Sequence, residues 1–255
     1  MGRSRSTSIS PRRAASQAVA SLNALADPAA AAVGRSFFKK EDDVTLHGVR
    51  APQVRTLAKQ IHDQVKQSWD VTDAIEFAEN LASRRHHEAK MVGILVLGRY
   101  QQLFPRSLLT TTRRWIETGW FPNWAAIDGL CPTVTTPLIR QYPALLSRVT
   151  RWGKSRHHWL RRASVVTLVP LARKGEYLSE AYGLVASLLD DTEDLMHKAC
   201  GWLLREAGKT DMQRLERFLL KFGPAIPRTS VRYAIERFPE AHRKRLLVAT
   251  RKGSR

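Results

Sequence analysis

The sequence predicts an all-α protein built from repeated helical hairpins. Helical periodicity runs from about residue 52 to residue 250, with no convincing run of strict apolar/polar alternation. Helices of roughly ten to sixteen residues recur in pairs about every 35–45 residues, a spacing typical of HEAT-like repeats. Such pairs stack into a curved solenoid with an extended concave face. A compact orthogonal bundle is the alternative, because the repeats share little sequence.

Each predicted helix has its own apolar spacing and end signals. An Ala-rich helix over 14–33 is broken near Pro28, because a proline interrupts the helical hydrogen bonds. The helix over 52–65 carries apolar residues at helical intervals: Val54, Leu57, Ala58, Ile61 and Val65. By the same criteria, helices are expected at 72–81, 88–103, 107–117, 124–131, 143–152, 158–171, 178–189, 192–207, 212–222, 229–238 and 241–250.

These helices are expected to form a single domain over residues 14–251. Residues 1–13, rich in Arg and Ser, predict a disordered basic arm, although its arginines could also touch phosphates. Residues 252–255 form a short basic tail.

Charge is the strongest global feature of the chain. Lys and Arg number 42 against 23 Asp and Glu, a net charge of +19, which favours a polyanionic partner. Twelve Lys and Arg but only two acids lie between Pro105 and Gly175, whereas residues 176–194 hold six acids and no Lys or Arg. This segregation is what a binding groove would require. A generally basic soluble protein is the alternative.

Several classes of protein are disfavoured. The longest apolar runs are far shorter than a membrane span, and no apolar signal core opens the chain, so we expect a cytoplasmic protein without a membrane partner. Cys131 and Cys200 form neither a disulfide framework nor a CxxC metal pair. The pairs His86-His87 and His157-His158 are adjacent rather than four apart, so no metal site is predicted.

The segment Asn123-Trp124-Ala125-Ala126-Ile127-Asp128 is a candidate site. Trp124 and Asp128 are four residues apart, so on a helix the acid lies beside the indole. Asn123 is a good N-cap, and Pro132 is expected to end the helix after about two turns. A site for a cationic group and a helix-edge acid paired with a nearby arginine are both compatible with this spacing.

Two further helices carry residues that packing explains poorly. The helix over 158–171 is apolar nearly all round, and Arg162 on it needs an anion such as a phosphate or Asp128. Trp202 falls at the edge of its helix's apolar stripe, near Lys198 and Arg205, where it could stack on a sugar or base. A tryptophan that covers a repeat junction remains the alternative. Asp191 or Thr192 is the expected cap of this helix.

The chain resembles the AlkD-type DNA alkylation repair glycosylases, which are built from HEAT-like repeats. The resemblance spans about Phe37 to Phe238. It rests on Phe37-Phe38-Lys39 with residues 47–55 (HGVRAPQVR), Asn123-Trp124 with Asp128, Trp159-Leu160-Arg161-Arg162, and most specifically residues 197–206 (HKACGWLLRE).

The resemblance implies a catalytic set of Trp124, Asp128, Arg162 and Trp202. It also implies DNA-backbone contacts, for which Arg161, Lys198, Arg205, Arg156 and Lys154 are the candidates. Phe37, a further candidate for contact with DNA, stands where the family has a tyrosine near the cleft, and Ala125 stands where an acid is common.

The implied activity is hydrolysis of the N-glycosidic bond of cationic alkylpurines in duplex DNA, without a base-flipping pocket or a cofactor. A monomer associated with the nucleoid is expected. A non-catalytic HEAT-repeat scaffold that binds nucleic acid would also explain the charge and the repeats, but not the Trp/Asp/Arg/Trp set.

Overall fold

The computed structural model describes residues 9–251, and over that range the chain is all-α, as predicted. Its one β-type pairing there is an isolated bridge between Thr45 and His86. The chain divides into two compact units, Met1–Gln141 and Tyr142–Arg255, where the sequence predicts a single domain. Local packing explains the division, because repeat helices contact mainly their neighbours in the stack.

The first unit is built around helix α5. Its helices are α1 (Pro11–Ala24), α2 (Pro28–Arg35), α3 (Ala51–Val65), α4 (Val71–Ala82), α5 (His87–Leu97), α6 (Leu108–Glu117), α7 (Trp124–Leu130) and α8 (Thr136–Gln141). A 3-10 helix follows α5 (Gly98–Leu103), and a π-helical turn joins α7 to α8 (Cys131–Thr135). Helices α3, α5 and α7 pack in succession as one row, while α1 and α4 cover α5.

The second unit repeats this arrangement around helix α12. Its helices are α9 (Leu146–Arg151), α10 (His158–Ala172), α11 (Leu178–Ala186), α12 (Asp194–Ala207), α13 (Met212–Phe222), α14 (Arg228–Ala234) and α15 (Glu240–Ala249). Helices α10, α12 and α14 form a row, with α11 packed on α10 and α12, and α13 packed on α12 and α15. The four candidate catalytic residues of the sequence, Trp124, Asp128, Arg162 and Trp202, lie on the helices α7, α10 and α12.

The amino-terminal boundary differs from the prediction. Helix α1 begins at Pro11, inside the predicted arm, because Ser10 caps it: the Ser10 hydroxyl accepts a hydrogen bond from Arg13 N. Trp69 Nε1 also donates to the carbonyl oxygen of Ile9 at 2.9 Å. The rest of the predicted arm, residues 1–8, and the predicted tail, residues 252–255, lie outside the described residues.

Four predicted helices end earlier than expected or change type. Helix α5 ends at Leu97, where the 3-10 helix begins, and α11 and α14 end at Ala186 and Ala234. The segment 143–152 is a 3-10 turn (Pro143–Leu145) followed by α9. Before Pro132 the α-helix ends at Leu130 after about two turns, as predicted, but the chain then continues through the π turn into α8.

Candidate active-site residues

Asn123 begins helix α7 and anchors it to a distant segment. Its Oδ1 accepts a hydrogen bond from Ala126 N at 3.0 Å, so the predicted N-cap is confirmed. Its Nδ2 donates to the carbonyl oxygen of Asp43 at 2.9 Å. Because the Asn123 side chain is only 2% exposed, both hydrogen bonds are shielded from water. One side chain therefore sets the start of α7 and holds the 37–48 connector against it.

Trp124 and Asp128 lie one turn apart on α7 and are both partly buried. The apolar side of this helix is fully buried through Ile127 and Leu130. The Phe38 ring stacks on the Trp124 indole, with the ring centroids 5.2 Å apart and the planes 26° apart. Phe38 thus holds the indole of Trp124 in place, and Asp128 lies at the margin of the core.

The two adjacent phenylalanines have different environments. Phe37, which the resemblance places near the cleft, is 72% exposed and lines a cavity of the first unit. Phe38, not Phe37, is the ring that contacts Trp124. The family resemblance does not predict which of the two rings contacts Trp124, because they are adjacent residues of the same type.

The π turn directly after α7 accommodates Pro132. Pro132 has no N–H, and in a continuous α-helix its ring would clash with the carbonyl of Asp128, four residues earlier. The turn instead closes with a bond from Thr136 N to Cys131 O, five residues apart. The hydroxyl of Thr133 donates to Gly129 O at 2.8 Å, which satisfies another carbonyl in the turn. Shortly after Asp128 the backbone is therefore π-helical for one turn instead of α-helical.

Gly129 lets α7 approach α5 closely beside Asp128. A Cβ at this position would lie 2.7 Å from Met91 Sδ, closer than real Cβ contacts. The absence of a side chain at 129 thus brings the helix that carries Asp128 against the centre of the first unit.

In the second unit, Arg162 is buried at the contact between α10 and α12. Its side chain is 5% exposed, and Nη1 donates to the carbonyl oxygen of Leu195 at 2.6 Å. The sequence predicts an anionic partner for this buried cation. Within the second unit, a carbonyl dipole in the first turn of α12 is one of its partners.

Arg161 is paired with an acid of its own unit. Its Nε lies 2.6 Å from Asp191 Oδ2, and Nη1 donates to the carbonyl oxygens of Ser155 and Arg156. The Asp191 side chain is 6% exposed, so removing either partner would leave a buried charge at a cost of about 3–5 kcal/mol. Arg161 therefore joins α10 to the segment before α12, which makes it less available as a phosphate contact.

Asp191 does not cap α12 as predicted. The residue at the N-cap is Glu193, and Asp191 Oδ1 instead accepts a hydrogen bond from Glu193 N at 3.0 Å. The ion pair with Arg161 explains the difference, because it holds the Asp191 carboxylate ahead of the helix start.

Glu206 joins the opposite ends of α10 and α12. Its buried carboxylate, 3% exposed, accepts from Arg173 Nε at 2.7 Å and Lys209 Nζ at 2.6 Å. Burial alone would raise the pKa of Glu206, but the hydrogen bonds from Lys209 and Arg173 outweigh it and hold the pKa below its ordinary value. The ion pair of Arg161 with Asp191 at one end and that of Arg173 with Glu206 at the other thus hold α10 and α12 together.

Trp202 is partly buried on α12, beside a point of close helix contact. A Cβ at Gly201 would lie 2.5 Å from Tyr233 Cβ and 2.7 Å from Ser230 O, so α12 meets α14 nearly backbone to backbone. Ser230 Oγ also donates to the carbonyl oxygen of His197 at 2.8 Å. The close contact between α12 and α14 therefore sets the position of Trp202.

The predicted DNA contacts fall into two groups. Lys198 is paired with Asp194 at 2.8 Å, a hydrogen bond that raises the pKa of Lys198, and Arg205 is bonded to Glu236. Lys154 and Arg156, in contrast, are exposed, and their side chains have no ionic partner within residues 9–251. These two lie just before α10, where the positive end of the helix dipole adds to their charge.

Metal, thiol and membrane chemistry find no support in the described part of the chain. Residues 9–251 contain no group of three or more His, Cys, Asp or Glu that could hold a metal ion. Both cysteines are buried and free, and burial raises the pKa of the Cys200 thiol to about 12. None of the helices in that range is long and apolar enough to cross a membrane.

Comparison with known proteins identifies the family. The family model for DNA alkylation repair enzymes matches residues 18–238. The chain belongs to this DNA alkylation repair enzyme family. A search of curated proteins finds no match.

A solved structure shares the fold. It is described as a predicted DNA alkylation repair enzyme from Enterococcus faecalis, and it aligns with a TM-score of 0.74 at 16% identity. The alignment covers 84% of this chain and 97% of that one. Membership of the DNA alkylation repair family makes DNA the expected substrate of this protein.

Proposed function

We propose that this protein is a monofunctional DNA glycosylase that releases cationic alkylpurines, such as 3-methyladenine and 7-methylguanine, from duplex DNA. The observation that carries the proposal is the partly buried Asp128, one turn after Trp124 on α7, in a chain of the DNA alkylation repair family. A carboxylate at the edge of a core beside an aromatic ring suits a substrate that develops positive charge.

In the proposed reaction, Asp128 acts on the sugar rather than on the base. The bond between C1′ and the purine nitrogen breaks, and its electron pair leaves with the cationic base, which becomes neutral. No strong general acid is needed, because alkylation has already made the base a good leaving group. The Asp128 carboxylate stabilises the positive charge that develops on the deoxyribose. Water then attacks C1′ and gives its proton to Asp128, which returns it to solvent.

Trp124 and Trp202 are proposed to stack against the nucleotide and exclude bulk water. Phe38 supports this role for Trp124, because its stacking limits the orientations of the indole. The close contact at Gly201 fixes α12 against α14, and this limits the positions that Trp202 can take. We assign Phe38 as a positioning residue and leave Phe37, a proposed DNA contact, outside the catalytic set.

Positive charge is proposed to hold the DNA backbone. Arg162, whose Nη1 donates to the Leu195 carbonyl, is proposed to bind a phosphate because the family resemblance places it in the site. Lys154 and Arg156 are the strongest further candidates, because they are exposed and have no ionic partner within residues 9–251. Lys198, Arg205 and Arg161 would contribute less, since each is already paired with an acid.

The structure also supports recognition without a base pocket. The large apolar cavity of the first unit is lined by neither Trp124 nor Asp128. A base extruded into that cavity would not be adjacent to the proposed catalytic residues. Recognition through the backbone of the damaged duplex is therefore the mode that we propose.

The test is a base-release assay on duplex DNA that contains 7-methylguanine. The unmodified protein should liberate free 7-methylguanine, and Asp128→Asn should lose release by at least about 100-fold while binding DNA within about 2-fold of the unmodified protein. Glu117→Gln is the matched control, because it neutralises an acid of the same unit that is paired with Arg113 on α6.

Two results would contradict the proposal. If Asp128→Asn released 7-methylguanine as fast as the unmodified protein, a mechanism that depends on the Asp128 carboxylate would be excluded. Retardation of methylated DNA with no release of base by the unmodified protein would identify a non-catalytic scaffold instead.

A further inference from the structure

A large apolar cavity of the first unit has no role in the proposed reaction. Its volume is about 770 Å³, within the range of small-molecule and peptide sites. Its walls come from α2, the segment around Gly48, α3, α5, Gly129 of α7 and the π turn. The apolar residues that matter below are Val33, Leu46, Val54, Met91 and Ile94.

Helix α2 forms one wall of this cavity and has no buried residue of its own. Its Ala29, Ala30 and Val33 line the cavity instead of packing into a core, and Val33 is 63% exposed. An amphipathic helix normally buries its apolar stripe against another element. Ala29 and Val33 are therefore largely uncovered within the described chain, although Gly34 of the same helix approaches Leu46.

The position of α2 is nonetheless well defined. Asp27 caps it by accepting from Ala29 N at 2.9 Å and Ala30 N at 3.1 Å. Gly48, at φ +80°, lies against its start: a Cβ there would be 2.0 Å from Asp27 O and 2.6 Å from Ala31 N. The wall is therefore preformed, which lowers the entropic cost of binding.

The acids that line the cavity use their carboxylates in hydrogen bonds to backbone N–H groups. The carboxylate of Asp27 is used by the α2 cap. Buried Glu88 accepts from the backbone N–H groups of His47, Gly48 and Val49 at 3.0, 2.9 and 3.3 Å.

The cations that line the cavity are unpaired. Arg50 and Arg55 are exposed, and neither guanidinium forms an ion pair within residues 9–251. His87 also lines the cavity, and its buried Nδ1 has no hydrogen-bond partner there. An apolar cavity with two available positive charges and one available imidazole nitrogen complements an occupant that is apolar and acidic.

We propose that this cavity, bounded by α2, α3 and α5, binds a short acidic peptide segment of a partner protein, with large apolar side chains inside and carboxylates on Arg50 and Arg55. The cavity is open, because its lining residues Val33 and Phe37 are largely exposed, which favours a peptide over a small enclosed ligand. Trp124 and Asp128 do not line it, although Gly129, the residue after Asp128, does.

The test measures fluorescence anisotropy of a labelled ten-residue peptide that contains five aspartates, two leucines, two phenylalanines and a glycine. The full chain should bind it with a Kd in the micromolar range. Replacing the aspartates of the peptide by lysine, or its leucines and phenylalanines by serine, should each weaken binding at least about 10-fold.

Matched protein variants distinguish binding at this cavity from nonspecific attraction of an acidic peptide to a basic protein. Arg50→Glu with Arg55→Glu should weaken binding of the acidic peptide at least about 10-fold, and Val33→Glu should do the same by placing an acid in the apolar wall. Arg12→Glu with Arg13→Glu makes the same change of charge on α1, which does not line the cavity, and should alter Kd by less than about 2-fold.

Several outcomes would overturn the proposal. Absence of binding at 1 mM peptide, or equal loss in the α1 double variant, would show that the cavity does not select this peptide. An equal loss of affinity for undamaged duplex DNA in the Arg50/Arg55 variant would assign these arginines to DNA. Displacement of the peptide by dodecanoate at lower concentration than by unlabelled peptide would assign the cavity to a small amphiphile.

Discussion

The Asn123 side chain and the Asp43 carbonyl are joined by a 2.9 Å hydrogen bond across 80 residues of sequence. This bond ties the connector that carries Phe38 to the helix that carries Trp124 and Asp128. The same side chain caps that helix. The two functions can be separated, because a serine can serve as an N-cap but is too short to reach Asp43.

We therefore expect a graded loss of stability at Asn123. Asn123→Ser should lower the free energy of unfolding by about 1–3 kcal/mol through the lost buried hydrogen bond. Asn123→Ala should lower it by about 1 kcal/mol more, because the cap is lost as well. Urea denaturation measures both values. In both variants trypsin should cleave faster after Lys39 and Lys40, as the connector loosens.

The control for this experiment is Asp211→Ala. Asp211 caps α13 through Arg214 N at 2.8 Å, and its side chain forms no long-range hydrogen bond within residues 9–251. Its loss should cost about 1 kcal/mol and leave cleavage at Lys39 and Lys40 unchanged. Equal cleavage rates in the Asn123 variants and the unmodified protein would show that Asn123 does not hold the connector.

Two glycines in helices should respond to alanine in opposite directions. Gly201→Ala would place a Cβ 2.7 Å from the backbone oxygen of Ser230, so it should destabilise the protein by about 1–3 kcal/mol and displace Trp202. Gly183→Ala on α11 meets nothing within 4 Å and should stabilise the protein by about 0.5–1 kcal/mol. Thermal unfolding of the two variants measures both effects. A neutral Gly201→Ala would contradict the close contact of α12 with α14.

Lys90 should make stability depend on alkaline pH. Lys90 lies on α5, and its buried amine donates to the carbonyl oxygens of Ala82 and Arg84 at the end of α4. Burial lowers the pKa of Lys90 to about 8. The unfolded chain, with an ordinary lysine pKa of about 10.4, binds more protons between these two values. Stability contributed by this site should therefore rise with pH from about 8 to about 10.4.

The measurement compares the unmodified protein with Lys90→Met. The difference in unfolding free energy between them should shift in favour of the unmodified protein as pH increases from 7 to 10. Exposed Lys174 supplies the control: the difference between the unmodified protein and Lys174→Met should stay flat. A flat difference for Lys90→Met as well would mean that its amine titrates normally.

Lys154 and Arg156 should contribute to the salt dependence of DNA binding. Each phosphate contact changes the slope of log K against log salt by about 0.9, so Lys154→Ala with Arg156→Ala should reduce the slope by about 2. The reduction should be the same for damaged and undamaged duplexes, since phosphate contacts carry no base information. Titrations at several salt concentrations give the slope.

A matched double variant on α15 tests whether location matters. Arg243→Ala with Lys244→Ala removes the same charge from two exposed residues of a helix outside the α10, α12, α14 row. The slope should change by less than about 0.5 in this control. An equal reduction in both double variants would mean that total charge, rather than these two residues, governs binding.

Periodicity predicted most helices because it depends on local spacing. Helix α13 matches its predicted bounds of 212–222, and α3 and α10 differ by one residue at one end. Helix ends were predicted less well where a side chain has a distant partner. Asp191 is the clearest example: its spacing suits a cap, but Arg161, 30 residues away, holds its carboxylate.

The candidate site could be predicted only in part from the sequence. Trp124, Asp128, Arg162 and Trp202 each stand out by helical projection, and each lies on a row helix. Phe38, Asp43 and Glu206 do not, because their contacts join segments 30 or more residues apart. No local pattern distinguishes Phe38 from Phe37 or marks Glu206 as the acid that links α10 to α12.

The π turn at Cys131–Thr135 makes this part of the chain sensitive to changes in length. A π turn is equivalent to an α-helix with one inserted residue. The wide turn absorbs the extra residue, so Leu138 and Ile139 keep their fully buried positions on α8. Deleting a residue of the turn other than Pro132 would restore α-helical hydrogen bonding, in which the Pro132 ring would clash with the Asp128 carbonyl. Relatives that lack the extra residue should therefore also lack a proline at the position of Pro132.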